Sequence, residues 1–413
     1  MELYTLDAHF LPNQFIDPFA SVIWTERYSS AGDVQLVVPA SPSMMDILAQ
    51  GTFLGLRGNK EIMVIETQTV EKGLLTVTGS SLVKFLNERE AWFPNPAYDG
   101  SDTNVPLAAA YTNDTLKPGD FLADVLNRTV ISPSAFGSYW APINLDWAND
   151  VITGLSLGLV DGNGFVKRLM FPLGPLYDGI QSFAGDQHLG FKLYLESAAW
   201  STHSYVLRFA TYRGRDRTSE QDVRRMVRFT RQMDSLLDTK EVVSSAKYKN
   251  VVYVSYKNVV TMHYLGSTIP AAFERRVLRV DAPDIYLEPD HIPAFREQVA
   301  YNAFVQNAYI SAVDGQVSSD PGYVFTKDYY LGDVVELEGS TGLRSVAQVT
   351  EYIRSQDSHG VREYPTLAVL DPALFDFEGD LEPFDSEPPW LDDPEFDDED
   401  MPSDTPEHTL IKK

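Results

Sequence analysis

Gly154-Leu155-Ser156-Leu157-Gly158 spells G-x-S-x-G, the spacing of a serine-hydrolase nucleophile elbow. That chemistry needs a strained turn between a strand and a helix, so that the hydroxyl stands clear beside an oxyanion-binding N–H. The next residues, Leu159-Val160-Asp161-Gly162-Asn163-Gly164, instead carry the turn signal of a hairpin. Ser156 is therefore expected within a strand, and the match is read as accidental. The seven histidines (His9, His188, His203, His263, His291, His359, His408) are scattered, with no H-x-H or H-E-x-x-H spacing. The absence of cysteine removes disulfides, thiolate ligands and thiol nucleophiles. No glycine loop for phosphate links a strand to a helix. No catalytic, metal or cofactor residue is assigned, and the chain is expected not to be an enzyme.

One charge cluster stands apart. Arg208, Arg213, Arg215, Arg217, Arg224, Arg225, Arg228 and Arg231 face only Asp216, Glu220 and Asp222 in the same stretch. The plain reading is a solvated strand–turn–strand with ion pairs. The sharper reading makes Arg213, Arg215, Arg217, Arg224, Arg225 and Arg228 a docking surface for an acidic partner, which could be the chain's own C-terminal arm.

The elements around these residues read as α+β, predominantly β. Residues 1–90 hold short strands ("SVIWTERY", "DVQLVVPA", "EIMVIETQTV", "LLTVTGSS") and two brief helical patterns. One of these, "SPSMMDILAQG", has Ser41 as N-cap, Pro42 at the first helical position and Gly51 as the stop. This is the pattern of a small barrel or sandwich. Residues 91–150 are loop-rich, with a short helix at "KPGDFLADVLNRTV" and an aromatic loop, "WFPNPAY". Residues 151–285 form an α+β middle with a hairpin signal at "LVDGNGFV", helical character at "PLYDGIQSFAGD" and a strand pair in "YKNVVYVSYKNVV". Residues 286–319 are read as a long helix, "PDHIPAFREQVAYNAFVQNAYISAV", and a linker; residues 320–370 are read as a second β module.

Charge is uneven. Residues 371–413 carry 16 acidic side chains against 2 lysines, so −14 of the net −26 lies there. With seven prolines and isolated aromatics, this stretch cannot bury enough apolar surface to fold alone, and it reads as an extended arm. Phe384, Trp390 and Phe396 are its candidate anchors, with Phe375 and Phe377 nearer the body. The acidity argues against sequence-independent nucleic-acid binding. The opening "MELYTLDAHF" lacks a basic n-region and an apolar h-region, and no span across a membrane is expected.

Four stretches, in order, resemble tail hub proteins of siphoviruses that infect actinobacteria and other Gram-positive hosts. They are "ELYTLDAHFLPNQFIDPFASVIWTERYSSAGDVQLVVPAS", then "EIMVIE" with "LLTVTGSSLVKFLNERE", then "ATYRGRDRT" with "VRFTRQMDSLLDTKEVVSSAKYKNVVYV", and last "YYLGDVVELEGSTGLRSVAQVTEYIRSQD". Together they cover most of residues 1–370; the arm and the loop from Ala91 to Pro106 lie outside.

The resemblance implies a minor tail protein of the baseplate hub class, made in the host cytoplasm and placed at the tail tip of the virion. It implies a homotrimer whose two barrel-like domains per chain adapt the sixfold tail tube to a threefold tip, and a channel through which DNA passes without specific binding. Implied partners are the distal tail protein, the tail tube, the tape measure protein and other tail-tip or fibre proteins. No cofactor is implied. The alternatives are a receptor- or carbohydrate-binding tail module and, less favoured, a cell-wall hydrolase.

Overall fold

The computed structural model describes residues 1–93, 110–132, 152, 154–162, 168–199, 204–282, 292–319 and 321–370. The first module contains β1 (Leu3–Leu6), β2 (Pro12–Phe15), β3 (Ser21–Arg27), β4 (Asp33–Pro39), α1 (Pro42–Ile47), β5 (Phe53–Leu56), β6 (Met63–Glu71) and β7 (Leu74–Ser81). Its strands are antiparallel neighbours in the order β3-β4-β7-β6-β5-β1-β2. Two-residue alternation decides which side chains go in: Val34, Leu36 and Val38 of β4 are buried while Asp33, Gln35 and Val37 are not. They share one core with Trp24, Leu54, Met63, Ile65, Leu75 and Val77. The β6–β7 turn places Lys72 and Gly73 at φ 52° and 80°, the twist a two-residue hairpin requires. Ser41 caps α1 as expected, its Oγ accepting from the Met44 N–H at 3.1 Å, with Pro42 opening the helix.

The middle contains β8 (Glu90–Ala91), β9 (Ala110–Asn113), α2 (Pro118–Leu126), a π turn (Asn127–Ile131), β10 (Leu155–Leu157), β11 (Leu169–Pro172), β12 (Gly174–Pro175), α3 (Leu176–Asp186), β13 (Gly190–Ala199) and β14 (Ser204–Tyr212). Phe93, Tyr111, Phe121 and Phe183 pack ring to ring at 5.1–5.3 Å in its core. The hairpin expected at "LVDGNGFV" runs into residues outside those described, and the strands on either side of it do not pair with each other. β10 runs parallel to β14, and β11 pairs instead with β9. Asp161, fully buried, donates its N–H to the Thr211 hydroxyl and pairs with Arg213, which holds this stretch beside β14.

The last part contains β15 (Arg228–Thr230), β16 (Leu236–Ser244), β17 (Val251–Tyr256), β18 (Val259–Tyr264), β19 (Val277–Asp281), α4 (Ile292–Gln306), β20 (Ile310–Val317), β21 (Val334–Glu338), β22 (Arg344–Asp357) and β23 (Gly360–Leu370). The doubled "YKNVV" is a hairpin, β17–β18, turned on Lys257 and Asn258 at positive φ. The long helix ends at Gln306, short of the expected 313. Beyond it the branched residues of β20 pair with β16, and Val313 and Val317 enter the core.

β22 joins the two β modules. Its first half pairs with β21; after an irregularity at Val349/Glu351 its second half pairs with β3, from Glu351↔Arg27 to Gln356↔Val22. One eleven-stranded sheet results, in the order β15-β21-β22-β3-β4-β7-β6-β5-β1-β2, with β23 also on β22. The fold is thus α+β and predominantly β, as expected. No ladder among the described residues closes either β module into a barrel.

Candidate functional site at the junction of the modules

β3 sits between β4 and β22, so a side chain on its inner face is shut away from water. Glu26 is such a residue, 5% exposed. Three other charges, from separate parts of the chain, meet it. Lys192 of β13 places Nζ 2.6 Å from Glu26 Oε2 and 3.3 Å from Glu61 Oε2. Arg354 of β22 donates from Nη1 to Glu26 Oε1 at 2.8 Å. Backbone bonds fix the approach: the Phe191 N–H donates to Tyr28 O at 3.1 Å and the Leu195 N–H to Lys60 O at 3.0 Å.

The two carboxyls respond in opposite directions. Burial opposes the charge on Glu26, but Lys192 and Arg354 outweigh it and hold the carboxyl below its ordinary value. Burial dominates at Glu61; Lys192 opposes it from the longer distance, Glu26 adds to it, and the carboxyl is raised. Burial also works against the Lys192 ammonium, yet the two glutamates lift its pKa above the usual lysine value. Isolated charges would not survive burial here, whereas matched ones do.

The arginine cluster lies alongside. Arg213 Nε stands 2.8 Å from Asp161 Oδ2, and Arg217 Nε donates to Asp333 Oδ2 at 2.9 Å. Asp333 also accepts the N–H groups of Arg215 and Tyr330 at 2.7 and 3.1 Å. Burial lifts its carboxyl pKa despite Arg217. Burial depresses the Arg215 guanidinium, which lies 6.0 Å from the Tyr330 ring centroid. Arg228 donates from Nε to Glu336 at 2.6 Å and reaches Glu338 at 3.5 Å. Arg225, more exposed, pairs with Asp328 and overlies Tyr323. The Arg224 N–H is taken by Gln221 Oε1 at 2.7 Å. Arg213, Arg217, Arg225 and Arg228 therefore fasten residues 213–230 to Asp161 and to the 328–338 stretch. Phe384, Trp390 and Phe396 lie outside the described residues.

Ser156 sits in β10, with no helix at Leu159–Gly162. Its hydroxyl accepts from Arg208 Nη1 at 2.8 Å and donates to Leu207 O at 3.3 Å. Among the described residues no three His, Asp or Glu side chains group as metal ligands. Of the "WFPNPAY" loop only Trp92 and Phe93 are described, and Phe93 is core.

A cavity of about 50 Å³ opens between the modules, lined by Glu26, Asn59, Lys192, Arg213, Asp333 and Arg354 among others. It has room for water but not for a metabolite, whose sites run to roughly 300–1,000 Å³. The arrangement joins three sequence-distant segments by charge. Sequence reasoning missed it, because Glu26 and Arg354 lie 328 positions apart. The one signal was Lys192, a lone ammonium inside "GFKLYL", a run buried on both faces.

Compared with known proteins, residues 1–366 match the family described as siphovirus ReqiPepy6 Gp37-like protein. No curated protein matches the chain. Among solved structures, the chain aligns with the tail protein from Neisseria meningitidis MC58 at 10% identity and TM-score 0.48, over 90% of this chain and 96% of that one. It aligns with the prophage MuSo2 43 kDa tail protein from Shewanella oneidensis at the same identity and score, over 89% and 98%. Prophage tail protein gp18 from Listeria monocytogenes EGD-e also aligns at 10% identity and 0.48, over 89% and 94%. With nearly nine-tenths of its length matched, from the first residue to the middle of β23, the chain belongs to the siphovirus ReqiPepy6 Gp37-like protein family.

Proposed function

We propose that this protein is a structural component of the siphovirus tail, the hub at the tail tip that adapts a sixfold tube to a threefold end and frames the channel for DNA. The supporting observation is the pairing of β22 with β3, which fixes two β modules, about 1–90 and 320–370, side by side in one rigid sheet. Two such modules per chain, three times repeated, supply six similar positions around an axis. The buried charges of Glu26, Lys192 and Arg354 fit that role, because they fix the angle between modules where an apolar core would permit several packings. Homotrimerisation, contacts with distal tail, tube, tape measure and fibre proteins, and the tail-tip position are parts of the same reading.

A passage for DNA should not hold phosphates, and outside the acidic arm the chain still carries −12. Ser156, spent on Arg208 and Leu207, favours a non-enzymatic role. Electron microscopy of the purified protein and of intact tails tests the proposal. A threefold ring with an acidic or neutral lumen at the tail tip supports it. Solid monomers, labelled protein absent from the tail axis, or a lumen lined mainly by Lys and Arg would sink it.

A further inference from the structure

The three-stranded sheet β18-β17-β19 carries a charge opposite to that of the rest of the chain. Between Ser244 and Ala282 lie Lys247, Lys249, Lys257, Arg275, Arg276 and Arg279 against only Glu274 and Asp281, a net of +4 in a chain of −26. α4 covers one face: Val252, Val254, Leu278 and Val280 pack on Ala300 and Ala303. Alternation turns the intervening residues to the other face, where the register sets Met262, Tyr253 and Arg279 in one row and Val260, Ser255 and Asp281 in the next. Among the described residues nothing covers that face: Val260 is 56% exposed, and Phe273, in the turn that precedes β19, is fully exposed. Arg275 Nη2 bonds the Tyr253 hydroxyl and lies 3.4 Å from Met262 Sδ, so a guanidinium edges the apolar patch. Among the described residues Arg279 pairs with exposed Asp281, a contact that a second carboxylate can share or displace.

We propose that this basic, aromatic face is the docking surface of the chain's own acidic arm, residues 371–413. Charge and apolar pattern are complementary. The arm carries −14, and its first proline-free run, Ala373 to Glu382, alternates Phe375 and Phe377 with Asp376 and Glu378. Phenylalanines meet Val260 and Met262 while carboxylates reach Arg275 and Arg279. The arm also starts close by. Leu370 pairs with Val346, whose neighbour Ser345 accepts the Val313 N–H at 3.0 Å. From Val313 the chain leads back through the start of β20, over at most roughly 20 Å, to Asn307, whose carbonyl accepts the Lys249 N–H at 2.9 Å at the foot of β17. At roughly 3.3 Å per residue the arm can span this several times over. Tethering supplies an effective concentration of order millimolar, so modest intrinsic affinity fills the site. The family match covers residues 1–366 and does not extend into the arm. The docking stands or falls independently of the hub reading.

The test uses the full chain with photoreactive benzoylphenylalanine in place of Met262, irradiation, and mass spectrometry of the products. The expected product is a monomer cross-linked to residues 371–413. Its yield should fall at least about fivefold in Asp376→Asn/Glu378→Gln/Asp380→Asn, an arm variant that cannot unfold the body, and again in Arg275→Glu/Arg279→Glu. The proposal is overturned by products that lack the arm, by arm cross-links found only at dimer mass, or by a yield indifferent to removal of the arm's charges.

Discussion

Lys192 Nζ lies 2.6 Å from Glu26 Oε2, both side chains about 6% exposed, on strands that belong to different parts of the molecule. The pair fixes β13 against β3, and Arg354 fixes β22 to the same carboxylate. Its removal should therefore be felt as a loss of assembly between modules rather than as a local defect.

Lys192→Met leaves Glu26 and Glu61 buried together without their cation. The expected loss is about 3–5 kcal/mol, the usual penalty for breaking a buried pair from one side. Urea unfolding followed by tryptophan fluorescence, with buried Trp24 as reporter, measures it. Adding Glu61→Gln should restore part of that loss. An unchanged midpoint for Lys192→Met would show that the pair contributes nothing.

The raised Glu61 carboxyl gives stability a definite pH dependence. The folded state holds this proton more tightly than the unfolded chain, where the group titrates near 4.3. From there up through the raised folded value, stability is lost as pH rises. Glu26 runs the other way: its lowered pKa contributes stability above the unfolded value, and that contribution fades as pH falls through the folded one. Glu61→Gln should remove the first slope and keep the second. Melting midpoints between pH 2 and 8 compare the two proteins; parallel curves would refute the assignment.

Arg217→Met should destabilise by about 3–5 kcal/mol, since Asp333 is left buried with only backbone donors. Arg225→Met should cost less, about 1–2 kcal/mol: the Arg225 guanidinium is exposed, and buried Asp328 keeps the Val324 N–H. Equal effects in thermal melts would contradict the distinction between inward and outward arginines.

Gly332 has φ 88°, and a Cβ there would stand 2.3 Å from the Tyr28 ring. Gly332→Ala should thus be destabilising by roughly 1–3 kcal/mol, through backbone strain and the clash together. A melting midpoint matching wild type would show that Tyr28 moves aside freely.

Ser156→Ala should leave ester- and cell-wall-cleaving assays at the same background as the parent. Activity present in the parent and absent from the variant would restore the hydrolase reading.

Much of this protein is written locally. Alternation in "DVQLVVP", the Ser41-Pro42 start of α1 and the doubled "YKNVV" each decide their element from a few adjacent residues, because period-two burial, a cap and a tight turn are short-range physics. Charge patterning was equally legible: the acidic arm and the arginine run are visible without coordinates, although the arginines' internal partners were not. The G-x-S-x-G match could be rejected from the residues after it, and Ser156 does lie in a strand. The last turns of the long helix failed where a tertiary contact, the β16–β20 ladder, outvoted the local signal, and β10 and β11, on either side of the hairpin signal at Asp161, take their partners from distant strands. Only the tertiary structure decided that β22 bridges both β modules and that Glu26, Glu61, Lys192 and Arg354 converge. Such a convergence leaves no periodicity to read, since its members are paired by the path of the whole chain and not by their neighbours in it.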